Sequence, residues 1–220
     1  MKHSLRTLAA TTVIGLGAGV VGLGAAPAGA STAGPVAGFT KAKCNQAIDQ
    51  RLFILDISEQ RIGQVKRLTA DQKAAQIAGI DAVQANLVNV NRPAVAAATG
   101  RAAIKAACQA IYNDNRVYAV VIPQLFASVR IDEFGNAFER FDPKIAEKKA
   151  AGADTTAIEA LVTSAKGHVD AAAALVSGIT PDSFNADPAG TKAKFNQATD
   201  ELNAALGDML KAIVAFRDLP

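Results

Sequence analysis

From Phe39 onward the apolar residues recur at intervals of three and four, the spacing that gathers them on one face of an α-helix. Cys44, Ile48, Leu52, Leu55, Ile62 and Val65 form the first stripe. Glu59 interrupts it, and Phe53, Ile54 and Ile57 widen it, which predicts burial against two neighbouring helices. Thr69-Ala70-Asp71-Gln72 has the pattern of a capping box, so one helix is expected to end near Leu68 and the next to start at Ala70. Ile77, Ile80, Val83, Leu87 and Val90 mark the buried face of this second helix. Asn91-Arg92-Pro93 is expected to end it, because a residue before proline resists the helical conformation.

Ile104, Cys108, Ile111, Tyr118, Ile122, Leu125 and Val129 announce a third helix, with Asn115 as the polar position of its seam. Pro123 removes a backbone donor and should kink or split it. A short buried strand over residues 117–122 is the alternative, but the stripe passes through in phase and no partner strand is evident. After Pro143, charged residues lead to a boundary at Gly152, and Thr156-Ala157-Ile158-Glu159 repeats the capping-box pattern. Ile158, Leu161, Ala165, His168, Ala172, Leu175 and Ile179 then alternate by three and four. Thr180 to Asp187 is expected to be a loop, with Asp187 capping a last helix that starts at Pro188. Phe195, Ala198, Leu202, Ala205, Met209, Ala212 and Phe216 form its stripe. Two such stripes joined by a short connection predict an antiparallel hairpin. The expected fold is therefore all-α, an elongated antiparallel helical bundle or coiled-coil-like array ending in that hairpin.

The N-terminus changes where this fold must work. Lys2 and Arg6 precede 23 uncharged residues, Leu8 to Ala30, and Ala28-Gly29-Ala30 supplies the small-x-small pattern of signal-peptidase cleavage. An uncleaved anchor is the alternative, since the run could span a bilayer, but its glycines lower its hydrophobicity. The organisation read from the chain is a signal peptide at 1–30, a flexible lead at 31–38, a long-helix region at 39–150 and a helical hairpin at 151–220. Gly17-Ala18-Gly19-Val20-Val21-Gly22 matches a dinucleotide-binding fingerprint by coincidence, inside the export segment and without a strand–helix context. The twin-arginine pattern is absent, which favours the general secretion route.

Composition adds limits. The chain has 23 Lys+Arg and 20 Asp+Glu, and cleavage would remove Lys2 and Arg6, leaving 21 bases against 20 acids. A nearly neutral product gives no electrostatic reason to expect nucleic acid or an anionic membrane as partner, and no membrane span is expected after cleavage. Aromatics are 5% of the chain, so alanine carries much of the apolar content and helices should pack closely along small-residue seams. Cys44 and Cys108, 64 residues apart, are expected to form a disulfide in an oxidising compartment, with free buried thiols as the alternative. They are too few for a metal site, and no cofactor is indicated.

Chemistry is sparse. His168 lies on a predicted seam without an identifiable nucleophile or metal partner, and hairpin closure near residues 183–184 would set it against Thr199 and Asp200. Asp132, Glu133, Glu139 and Asp142 lack the alternating oxygen-ligand loop of a calcium site and flank Phe134, Phe138 and Phe141 as solvated positions beside a buried stripe. With Phe126, these phenylalanines are the candidate lining of an apolar ligand groove, but core packing is the expected use, because the chain has few other large side chains to build a core.

Arg116-Val117-Tyr118, an apolar run to Pro123 and a helix capped at Thr69-Ala70-Asp71 resemble uncharacterised exported, alanine-rich α-helical proteins of high-GC Gram-positive bacteria. The resemblance covers most of residues 40–217 and implies an exported helical module; it brings no activity, cofactor or site residues. The expected function is a secreted or cell-envelope-associated non-enzymatic protein acting through helix–helix contact, with another protein or with itself. The alternative is an extracellular carrier of a small apolar ligand along the phenylalanine groove.

Overall fold

In the computed structural model, which describes residues 38–219, every regular element is helical. The expected signal segment and residues 31–37 of the lead lie outside the described residues. The first helix, α1 (Lys41–Gln64), starts where the Thr40 hydroxyl accepts from the Lys43 amide at 3.2 Å. The second, α2 (Ala70–Asn86), opens on the expected capping box: the Gln72 amide donates to Thr69 Oγ1 at 3.2 Å, and Gln72 Oε1 accepts from the Thr69 amide at 2.9 Å. The two helices run antiparallel, because Lys73 donates to the Gly63 carbonyl (2.9 Å) while Asp56 accepts from Gln84 (2.7 Å).

The expected stop at Pro93 does not occur. A widened π-turn, Leu87–Asn91, leads without a break into α3 (Arg92–Ala97). In this turn the Arg92 amide bonds to the Leu87 carbonyl, five residues back. The extra residue makes room for the proline ring, and Pro93 falls in a first turn, where its missing donor matters least. The same widening leaves Val90 55% exposed and puts Asn91 in the interior instead. In α1, Phe53 likewise faces outward at 66% exposure, whereas Arg51, which the stripe did not include, is buried.

The third helix is also two. The helix α4 (Gly100–Asn113) ends before Arg116, whose φ of 39° is left-handed. A second π-turn, Val117–Val121, then runs into α5 (Ile122–Ala150), with Pro123 in its first turn. The break thus lies at Arg116 rather than at Pro123, and residues 117–122 are helical, not a strand. Asn91 and Asn115, the polar residues beside the two widened turns, are both buried, and Asn115 Nδ2 donates to Asn91 Oδ1 at 2.8 Å.

The C-terminal region comprises α6 (Thr156–Ser177), α7 (Pro181–Ala186) and α8 (Pro188–Arg217). Thr156 is the first residue of α6 rather than its cap; its amide donates to Asp154 Oδ1 at 3.0 Å. The expected loop contains α7, opened by a capping box of Thr180 and Ser183. Asp187 caps α8 as expected, accepting from the Gly190 amide at 2.9 Å.

The hairpin of α6 and α8 is antiparallel: Ser164 bonds to Asp208 and His168 to Glu201. On α8 the seam is the expected one, with Ala198, Leu202, Ala205, Met209 and Ala212 buried. On α6 it is displaced by one residue. Val162, Val169 and Val176 are buried between Ala165 and Ala172, and Leu161, His168 and Leu175 stand at the seam's edge. The fully buried alanines Ala165, Ala172, Ala205 and Ala212 let the two backbones approach closely, so contact density rather than side-chain area holds this pair.

The helix α5 lies antiparallel to α6 (Gln124 to Val176, Asp142 to Lys166, Lys149 to Glu159) and parallel to α8 (Arg130 to Asn203, Phe141 to Phe216). Its first turns also close the core built from Ile48, Leu55, Leu87, Ile111 and Val117. Two polar clasps fix these packings. Asn136 Nδ2 donates to the Arg67 carbonyl (2.6 Å) and to Gln72 Oε1 (2.7 Å), tying α5 to the α1–α2 turn. Arg116 Nε donates to Asn185 Oδ1 (2.6 Å) and its guanidinium lies 5.1 Å from the Phe184 ring centroid, which holds α7 against the α4–α5 junction.

Cys44 and Cys108 are disulfide-bonded, with their α-carbons 5.2 Å apart, and join α1 to α4. The helical fold of the sequence reading is therefore present, as is the covalent link it called for. No described helix is long and apolar enough to cross a membrane.

Candidate functional site

The antiparallel contact of α5 and α6 leaves two adjoining clefts on either side of Lys166. One, of ≈ 350 Å³, is lined by Gln72, Asp132, Gly135, Phe138, Glu139 and Asp170 among others. The second, of ≈ 410 Å³, includes Asp142, Ile145, Lys149, Glu159 and Val162. Lys166 Nζ lies 2.7 Å from Asp142 Oδ2 and 5.5 Å from the Phe138 ring centroid, so its charge is held by a carboxylate and a ring face together. At the far end of the second cleft, hydrogen bonds from Lys149 and then Thr155 hold the Glu159 carboxyl below the ordinary carboxylate range.

The four phenylalanines named as the candidate lining of a groove are not gathered into one. Phe138 reaches the first cleft. Phe134 stacks on Phe138 with centroids 6.0 Å apart, and Phe141 meets Phe216 edge-on at 5.2 Å, both of them buried. Phe126 packs against the N-terminal core instead. Phe126 stands eight positions before Phe134, about 12 Å along α5 at helical rise, where the helix packs on the N-terminal core. The clefts are accordingly rimmed by charge rather than floored by rings. Lys166, Asp170 and Gln72 come to them from α6 and α2, and no local signal near Phe138 in the sequence names these partners.

His168 meets Glu201, not Thr199 or Asp200: Nδ1 lies 2.6 Å from Glu201 Oε2 and Nε2 lies 3.9 Å from Asp208 Oδ2. Ser164 Oγ donates to Asp208 Oδ2 at 2.7 Å, and Lys211 Nζ donates to Oδ1 at 3.0 Å. These two bonds, Ser164 first, draw the Asp208 carboxyl below its usual range. A hydrolytic relay needs the imidazole between hydroxyl and carboxylate. Here the carboxylate lies between Ser164 and His168, so the imidazole does not take the serine proton. The cluster is a polar border of the hairpin seam.

A third arrangement surrounds Arg51. Its guanidinium lies 4.2 Å from the Tyr112 centroid and 5.4 Å from that of Tyr118, and one nitrogen donates to the Ala47 carbonyl at 2.9 Å. Burial lowers the Arg51 pKa, and the two tyrosines oppose that shift. The rings shield the cation from water while their own outer parts remain exposed. Tyr118 belongs to the Arg116–Pro123 segment, so that segment supplies both this shield and the Arg116 clasp. Among the described residues no three His, Cys, Asp or Glu side chains are grouped to hold a metal ion. Comparison with protein-family models, curated proteins and solved structures finds no match to this chain.

Proposed function

We propose that this chain is an exported, non-enzymatic helical protein that works outside the cytoplasm through helix–helix contact. The observation that carries the reading is a pair of large apolar side chains on one outward face of α8, Val214 at 57% exposure and Leu210 at 45%. Apolar side chains that recur on one outward helix face favour a protein partner. Two further features support it. The buried Cys44–Cys108 bond fits an oxidising compartment, in keeping with the export pattern of residues 1–30. The Ser164–Asp208–His168 order supplies no activated nucleophile. The carrier alternative is the weaker reading, because Phe134 and Phe141 are packed inward and the clefts beside Phe138 are rimmed by charge.

The test is in-situ lysine cross-linking of a culture of the producing cell, followed by mass spectrometry of medium and envelope fractions. The expected result is a processed chain starting near Ser31, cross-linked into discrete species with itself or one other protein. A processed chain found solely at its monomer mass, or one carrying residues 1–30 in the membrane, overturns the proposal.

A further inference from the structure

The face of α8 that packs on α6 has an opposite, and that opposite face has a regular pattern of its own. Asp200, Asn203, Gly207, Leu210, Val214 and Arg217 follow one another at spacings of three and four, and all but Gly207 are exposed. Such spacing draws one continuous stripe along a helix. Its middle is apolar. A Cβ added at Gly207 would meet nothing within 4 Å, so the surface beside Leu210 is open and bare of side chain. Its ends are charged with opposite sign, Asp200 towards the N-terminus and Arg217 in the last turn. Neither has an ion-pair partner among the described residues. By contrast, the neighbouring Lys211 is already paired with Asp208 at 3.0 Å.

We propose that a second copy of this chain docks on this face, α8 against α8 in antiparallel register about a two-fold axis. The inference rests on the helix-contact reading above and names its partner. In the antiparallel register residue 200 lies opposite 217, 203 opposite 214 and 207 opposite 210. Each Asp200 then faces the other copy's Arg217, and each Leu210 lies over the bare backbone of the other copy's Gly207. A two-fold axis makes every such contact twice. A parallel register would set Asp200 against Asp200 and Arg217 against Arg217, so charge complementarity selects the antiparallel one. Asn203 already accepts from Arg130 at 3.2 Å and stands at the border with α5, opposite the flank of Val214. The stripe is about 26 Å long at helical rise. A contact of that length and one helix width belongs with small, reversible interfaces, so the dimer should form and dissociate with concentration.

Sedimentation velocity over a concentration series of the protein purified from the producing cell tests this. A monomer–dimer equilibrium is expected. Leu210→Glu should raise the dissociation constant about tenfold or more, because it sets a carboxylate in the apolar middle of the contact. Asp200→Arg and Arg217→Asp should each weaken the dimer about fivefold, and the double reversal should return it to within about twofold of the original. Phe53→Glu, on α1, should leave the equilibrium unchanged. Far-UV circular dichroism of each variant checks that the exposed substitution leaves the helices intact. The proposal is overturned by a dimer indifferent to Leu210→Glu, by a double reversal no better than either single one, or by a dimer abolished by Phe53→Glu. A protein that stays monomeric at every concentration also overturns it. If cross-links to another protein persist in that last case, the helix-contact reading stands without self-docking.

Discussion

Replacing both Cys44 and Cys108 by alanine isolates the energetic role of the one covalent link between α1 and α4. The native geometry accommodates the bond: the α-carbons are 5.2 Å apart, inside the usual range for a disulfide. Its contribution comes from the unfolded chain, where closing a loop of 64 residues removes conformational freedom. The chain-entropy model places that at about 4 kcal/mol. For a domain of this size each kcal/mol moves the melting temperature by about 2–4 °C, so the double variant should melt about 8–16 °C lower. The sulfur atoms are almost wholly buried, at 1% and 2% residue exposure, so a reductant added to the folded protein would reach them slowly. The substitution is therefore the cleaner perturbation than reduction. Thermal melts followed by far-UV circular dichroism at neutral pH give the comparison, and alkylation of denatured, unreduced wild-type protein should label neither cysteine. A fall smaller than about 3 °C, less than roughly 1 kcal/mol on that scale, would refute the loop-closure argument.

Two further outcomes follow from single side chains. Asn136→Leu should destabilise the fold by about 2–3 kcal/mol in urea titration, because the Arg67 carbonyl and the Gln72 side chain lose their buried partner; a loss below about 0.5 kcal/mol would show that the α5 clasp is dispensable. Asp208 is held below the ordinary carboxylate range by Ser164 and Lys211. A depressed carboxyl pKa stabilises the fold above the unfolded value, near pH 4, and that stability is lost as pH falls through the folded value. The melting temperature of Asp208→Asn should therefore sit below wild type at pH 7 and converge with it on acidification; an offset that persists at low pH would contradict this origin.

The sequence pattern reads well where polar and apolar positions alternate without competition. The α8 seam is such a case, since Ala198, Leu202, Ala205, Met209 and Ala212 have no rival register beside them. On α6 two registers interleave: Leu161, His168 and Leu175 share Ala165 and Ala172 with Val162, Val169 and Val176. The structure buries the valines, which seat short side chains beside alanine and spare the imidazole its desolvation. The break at Arg116 is illegible because no glycine or proline marks it; its left-handed backbone is maintained by bonds to Asn113 and Asn185, the second of them 69 residues away. The prolines misled in the other direction, since a breaker in sequence becomes tolerable when the turn before it is widened. The clefts were hidden for a related reason, because Lys166 and Gln72 reach Phe138 and Asn136 through tertiary packing alone.

Each widened turn is, in helical phase, a one-residue insertion, and this has a consequence for how such a chain can change over descent. Removing one residue from Leu87–Asn91, such as Asn89, would wind the turn back to regular pitch; everything after it would keep its phase, but Pro93 would then sit in the interior of a regular helix. Its ring would then meet a carbonyl of the preceding turn, and the helix would kink or break there. The same holds for Val117–Val121 ahead of Pro123. Between α5 and α6, by contrast, the exposed turn around Gly152 lies outside both helices, so a change in its length sets no proline against a carbonyl. Gaps between this chain and its relatives should therefore collect at residues 151–154 and avoid 87–91 and 117–121, where the number of residues is inherited more strictly than their identities.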